Sequence, residues 1–157
     1  MFNLTLSTMI EAPINRVFDY MSTPKNNSQW QYGTLVAATI TSHLNKKGVY
    51  FRSIGHFLGH RNVATYQVVK SDLNRIYRFK SLSGPLHLHT AYTFDTLGEG
   101  TKVTISIHVG TIDFFEINEG ELEKRMEKQL KKNLILLKTL LEVKQIPVSP
   151  KTEALII

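Results

Sequence analysis

The sequence predicts an α+β fold in which a seven-stranded curved antiparallel sheet wraps around one long C-terminal helix, with two short helices after the first strand. Three observations carry this. Between Gly33 and Gly110 the chain reads as short alternating segments separated by turn residues. From Glu119 to about Lys144 apolar residues recur at Leu122, Met126, Leu130, Leu134, Leu137 and Leu141, a spacing of four or three residues kept through roughly seven turns. A helix of that length, about 39 Å, can cover a whole curved sheet alone. The space between the two layers is where function is expected.

Taken in order, Phe2, Leu4, Leu6, Thr8 and Ile10 alternate with Asn3, Thr5 and Ser7, which makes a half-buried first strand. Pro13 occupies the expected first helical position, and Ile14, Val17, Phe18 and Met21 follow at helical spacing. Thr23-Pro24 repeats the cap-then-proline signal for a second, shorter helix ending near Trp30. Six strands are then expected at about 34–43, 48–56, 62–71, 75–81, 86–95 and 101–109. Their separators are turn-like: Asn45 to Gly48, Leu58 to His60, Asp72 to Asn74, Ser83-Gly84-Pro85 and Gly98-Glu99-Gly100. Connections this short favour hairpins, because a parallel crossover needs a dozen or more residues.

Period-two alternation also assigns faces. Leu86, Leu88, Thr90, Tyr92 and Phe94 share one side, with His87, His89, Ala91 and Thr93 opposite; Val103, Ile105, Ile107 and Val109 oppose Thr104, Ser106 and His108. The apolar sets should face the long helix, as should Tyr77 and Phe79, with Arg78 and Lys80 pointing out. The third and fourth strands carry apolar residues on both faces, so the roles of Tyr50, Arg52 and Tyr66 stay open. For the long helix, Asn118 is the expected N-cap with Glu121 completing a capping-box-like pair, and Pro147 the stop. Ile135, Leu136 and Leu140 widen the apolar stripe of its second half, which should be gripped deeply. The narrower first half suits a lid.

At 157 residues the chain is the size of one ordinary domain. One domain is expected over residues 1–146, followed by a tail, 147–157, that ends Ala154-Leu155-Ile156-Ile157 and is either free or docked on an apolar groove. The absence of cysteine excludes disulfides, cysteine nucleophiles and thiolate metal sites. The amino terminus enters a strand pattern at once, and no apolar run approaches the roughly 20 residues of a bilayer span. A soluble cytoplasmic protein without stable membrane insertion is expected. The net charge of +6 is spread over nineteen Lys and Arg residues with no polybasic block, so a nucleic-acid partner is not expected.

Catalytic patterns are sparse. His87 and His89 share a strand face, but a metal needs a third ligand, the candidates, such as His56, His60 and His108, are scattered, and the pair lies opposite the apolar face. No metal is expected. No Gly-x-Ser-x-Gly elbow places a serine nucleophile. The glycines form no strand-Gly-x-Gly-x-x-Gly-helix phosphate loop, so no nucleotide cofactor is expected, and none of another kind is indicated. The inward aromatic residues read either as core or as a pocket wall, and tyrosine hydroxyls in an apolar space call for partners.

The stretch Ile10-Glu11-Ala12-Pro13, then Val17-Phe18-Asp19-Tyr20, Pro24 and Trp30, resembles the opening of the polyketide cyclase/dehydrase-type branch of the START-like, or SRPBCC, helix-grip superfamily. Gly48, Gly59, the Gly100-Thr101-Lys102-Val103 turn and the long final helix fit as well, so the resemblance spans residues 1 to about 145. Many relatives carry aspartate where Thr23 stands; either residue caps a helix. The resemblance implies a ligand cavity between sheet and final helix. It places Trp30 near the mouth, Tyr77, Phe79, Leu88, Tyr92 and Phe94 on the sheet wall, and Met126, Leu130 and Leu134 on the helix wall. No catalytic signature of a particular cyclase can be matched.

The leading expectation is therefore binding or transport of a small hydrophobic or aromatic molecule, lipid or polyketide-like. The rival is a metal-independent cyclase, dehydratase or aromatase in which tyrosines or a buried Arg52 orient or protonate a carbonyl. A third reading is an interaction module using the tail, and a homodimer is compatible with the sequence.

Overall fold

The computed structural model describes residues 1–40, 48–110 and 117–143. The chain runs β1 (Phe2–Ile10), α1 (Ile14–Met21), a 3-10 turn (Pro24–Asn26) leading into α2 (Asn27–Trp30), then β2 (Thr34–Ile40), β3 (Val49–Phe57), β4 (His60–Asp72), β5 (Ile76–Ser83), β6 (Leu88–Leu97), β7 (Gly100–Val109) and α3 (Glu119–Glu142). The strands form one sheet in the order β1-β7-β6-β5-β4-β3-β2, every pair antiparallel. Only the β1-to-β2 connection leaves the hairpin pattern. It carries the chain from one sheet edge to the other, and α1 and α2 are laid down on the way. This is the α+β helix-grip fold.

Alternation translates directly into burial. Along β6, Thr90, Tyr92 and Phe94 are buried and His89 is exposed, and just before it Leu86 is buried and His87 exposed; along β7, Val103, Ile105 and Val109 are buried. The two open strands resolve as Phe51 and Gly55 inward on β3 and Ala64 inward on β4, with Arg52 exposed. The reading of Arg52 as a buried catalytic cation is thereby corrected: a charged side chain takes the solvent face and leaves the inner one to Phe51.

Helix α3 buries Leu122, Met126, Leu130, Leu134, Leu137 and Leu141. Of the residues that widen its stripe, Leu136 is half-buried and the other two are not buried. Ile135 is 67% exposed and Leu140 is exposed too, because the sheet lies against one side of the helix only. Asn118 caps the helix, its side-chain oxygen accepting from the Glu121 N–H at 2.7 Å, while the Glu121 carboxylate pairs with Arg125 at 3.0 Å instead of closing a capping box. The final turn is fastened to β1: Lys138 Nζ donates to the Met9 carbonyl and to Glu142, both at 2.6 Å, and the Glu11 N–H donates to Glu142 at 2.8 Å. Lys144, Pro147 and the whole 147–157 tail lie outside the described residues, as do 41–47 between β2 and β3.

Two helix starts shift from the expected detail. Pro13 is the extended N-cap of α1 and not its first helical residue, its carbonyl accepting from the N–H groups of Arg16 and Val17 at 3.1 Å. Thr23 is the extended N-cap of the 3-10 turn that Pro24 opens, its carbonyl accepting from the Asn26 N–H at 3.0 Å, but its hydroxyl makes no capping bond and donates back to the Asp19 carbonyl at 2.7 Å. A short hydroxyl side chain competes for the nearest free carbonyl.

The core divides into two clusters. The larger joins Val17, Phe18, Phe79, Phe94, Val103 and Leu137 with the second half of α3. The smaller joins Phe2, Leu4, Leu86, Val109, Leu122 and Met126 at the helix start.

Candidate functional site

A cavity of about 200 Å³ lies between the two clusters, its wall drawing Trp30, Phe51, Phe79, Tyr92 and Leu130 from the larger, Leu86 and Met126 from the smaller, and Ile107, which packs against both. Alternation along β6 sends Leu88, Thr90 and Tyr92 to it, and helical spacing brings Met126 and Leu130 from the opposite side. Of the residues expected to contact a ligand, Trp30, Phe79, Leu88, Tyr92, Met126 and Leu130 line this space. Tyr77, Phe94 and Leu134 are buried in the larger cluster away from the lining. Trp30 is 1% exposed and forms wall, whereas exposed Tyr32 and Gly33 mark where the cavity reaches solvent.

The aromatic wall is self-supporting. Trp30 and Tyr92 meet edge to face at 5.9 Å, Tyr77 stacks behind Tyr92 at 5.9 Å, and Phe79 stands edge-on to Tyr92 at 5.5 Å and to Phe51 at 5.2 Å. Such contacts lock ring orientations. Phe94 is held separately, edge-on to Phe18 at 5.1 Å.

Polar groups enter this wall in a short relay. Thr34 Oγ1 donates to Gln31 Oε1 at 3.3 Å, and Gln31 Nε2 donates to the Tyr92 hydroxyl at 3.3 Å. Burial pushes the Tyr92 pKa far above its ordinary value, and the nearby Tyr77 and Tyr66 push it the same way against the Gln31 hydrogen bond. Burial alone raises Tyr66 and takes Tyr77 to about 12. These hydroxyls are neutral at any physiological pH and serve as hydrogen-bond donors and acceptors, not as bases.

Near the opening, α3 holds the chain that follows α2. Asn133 Oδ1 accepts from the Tyr32 N–H at 2.8 Å and Gln129 Nε2 donates to the Tyr32 carbonyl, so two side chains one helical turn apart grip the backbone of one residue on both sides. Beside it β2 bulges between Thr34 and Val36, and the backbones of Gly33 and Gly55 cross closely. A Cβ on Gly55 would stand 2.0 Å from the Gly33 carbonyl oxygen, and Gly33 itself has φ +91°. Only glycine fits this crossing.

Sequence reasoning missed Asn27, Gln31, Phe51, Gly55, Gln129 and Asn133. A period-two reading of Phe51, Ser53 and Gly55 was available but competed with the apolar opposite face. Nothing local marks Gln31 or Asn133, whose partners are 61 and 101 positions away. His89 and His108 lie on the outer sheet face with ring centres 6.4 Å apart, and His108 pairs with Asn3. Among the described residues no group of three or more metal-binding side chains comes together, and no helix is long and apolar enough to cross a membrane.

The family model described as polyketide cyclase / dehydrase and lipid transport matches residues 1–142, so the chain belongs to that family. No curated protein matches in sequence. Among solved structures, a START superfamily protein from Mycobacterium smegmatis has a TM-score of 0.77 at 12% identity, covering 89% of this chain and 97% of its own. A protein from Thermus thermophilus has 0.74 at 16%, covering 92% and 100%. The Zhui aromatase/cyclase from a Streptomyces species has 0.70 at 14%, covering 90% and 91%. At these identities the likeness is one of fold.

Proposed function

We propose that this member of the polyketide cyclase/dehydrase and lipid transport family is a cytoplasmic protein that binds or transports a small hydrophobic or aromatic molecule, lipid or polyketide-like, in the cavity between the sheet and α3. The observation that supports it is the aromatic lining. Trp30, Phe79, Tyr92, Met126 and Leu130 surround open space that a purely structural core would have filled, with a few neutral polar groups among them. Residues 1–146 form the binding domain in this reading, with 147–157 as a tail beyond it. Native mass spectrometry of protein purified from its source tests the reading: a copurifying small molecule, lost on denaturation, is expected. A bare chain whose crystal interior is filled by its own side chains overturns it.

One observation favours the enzymatic alternative, a metal-independent cyclase, dehydratase or aromatase. The Tyr92 hydroxyl accepts from Gln31, which leaves its own O–H to be offered to a substrate carbonyl. Tyr92→Phe separates the two readings. In an enzyme, turnover of a polyketide-like carbonyl substrate falls about a hundredfold or more while binding changes little; in a carrier only binding responds.

A further inference from the structure

Resting on the cavity as a ligand site, we propose that Tyr66 selects its ligand, the phenol hydroxyl donating to an uncharged oxygen acceptor such as a ketone or ester carbonyl. Register sets Tyr66 of β4 opposite the inward Phe51 of β3, so both point to the same side of the sheet, and both line the cavity. Two neighbouring rings hold the phenol in place: Phe51 stacks on it at 4.9 Å and Phe79 stands edge-on at 5.5 Å. Open space reaches its hydroxyl. The side-chain atoms both closed off and unpartnered among the described residues belong to Asn27, Trp30 and Asn74. The Tyr66 hydroxyl makes no hydrogen bond among the described residues and is not in that set, and the residue is half-buried, so its oxygen keeps accessible surface. Burial nonetheless raises its pKa, which puts that surface inside the molecule and not in bulk water. Buried polar groups in folded proteins are nearly always paired, and here a ligand can supply the partner. A neutral phenol is a stronger donor than acceptor, so the group it selects is an acceptor.

Charge narrows the class further. No Lys, Arg, Asp or Glu is among the described residues that line the cavity, and the histidine that reaches it, His56, is exposed. A carboxylate or a phosphate is an acceptor too, but on entering this space it would shed its hydration with no counter-charge to replace it. Free fatty acids and phosphate headgroups are thus disfavoured, and ketones and esters on a ring or chain are favoured.

The test titrates three probes on one ring system, 2-acetylnaphthalene, 2-isopropylnaphthalene and 2-naphthoate, at neutral pH into the full chain and into Tyr66→Phe. In the wild type the ketone is expected to bind about fivefold more tightly than either of the others, with its C=O stretch lowered from the value in hydrocarbon solvent. Tyr66→Phe deletes one oxygen and keeps the stacked ring. It should cancel both the preference and the lowered stretch while the hydrocarbon binds as before. If Tyr66→Phe keeps the preference or the lowered stretch, if the ketone binds no better than the hydrocarbon, or if 2-naphthoate matches it, the cavity reading stands and this proposal falls. If none of the three binds, the cavity reading falls first and takes the proposal with it. Should Tyr66→Phe not fold, isotope-labelled tyrosine in the wild type decides: a Tyr66 Cζ signal that does not move at ketone saturation overturns the proposal.

Discussion

The two halves of α3 should respond differently to the same truncation. Leu137 is 0% exposed and packed in the larger cluster, so Leu137→Ala removes a fully buried side chain and leaves a void that the sheet on one side and the helix backbone on the other cannot collapse to fill. The expected cost is about 2 to 5 kcal/mol. For a domain of this size a mid-range loss of about 3 kcal/mol lowers Tm by roughly 6 to 12 °C. Met126 is 8% exposed and borders the cavity, so Met126→Ala enlarges a space that already exists and forfeits contacts on one side only. Its cost should stay below about 2 kcal/mol, short of the usual range for such truncations, with the larger effect on ligand affinity. Urea unfolding followed by Trp30 fluorescence gives both stabilities, and naphthalene-probe titration gives binding. Equal destabilisation by the two variants, with binding untouched by Met126→Ala, would refute the division of labour along the helix.

Gly55→Ala should cost about 1 to 3 kcal/mol through overpacking at the Gly33 crossing; a midpoint unchanged in urea would mean that the crossing opens freely. Asn133→Ala removes the bond to the Tyr32 N–H and should lower stability by about 0.5 to 1.5 kcal/mol, with faster probe release in stopped flow as its distinguishing sign. The hydrogen bond from Lys138, and then the one from the Glu11 N–H, hold the Glu142 carboxyl below its ordinary pKa. The stabilisation from Glu142 is therefore present above the unfolded carboxylate pKa and lost as pH falls through the lower folded value, and Glu142→Gln should flatten the acid limb of a stability–pH curve by less than about 1 kcal/mol. Tyr77 works at the other extreme: burial raises its pKa from 10.0 to about 12, so its contribution is complete below pH 10.0 and drains away between pH 10.0 and about 12. Tyr77→Phe should shift the onset of alkaline unfolding upward, and an unchanged onset would mean that the hydroxyl is solvated.

Local periodicity determined much of this protein. The period-two alternation of β1, β6 and β7 and the four-or-three spacing from Leu122 to Leu141 are properties of a single segment, and burial follows them because backbone geometry sends those side chains to one side whatever surrounds them. The six inward residues of α3 and the inward set of β6 were legible for that reason. Tertiary structure alone decided whether an apolar residue would find a partner. Ile135 and Leu136 extend the stripe in sequence, yet Ile135 stands in solvent because the sheet covers only one side of the helix. Phe51 was chosen over the opposite face of β3 by the rings of Tyr66 and Phe79 waiting at 4.9 and 5.2 Å. The same holds for the polar half of the site. Gln31 meets Tyr92 and Asn133 meets Tyr32 only once the sheet has coiled around α3 and brought distant segments together. A cavity is a gap between packed clusters, and no single segment encodes a gap.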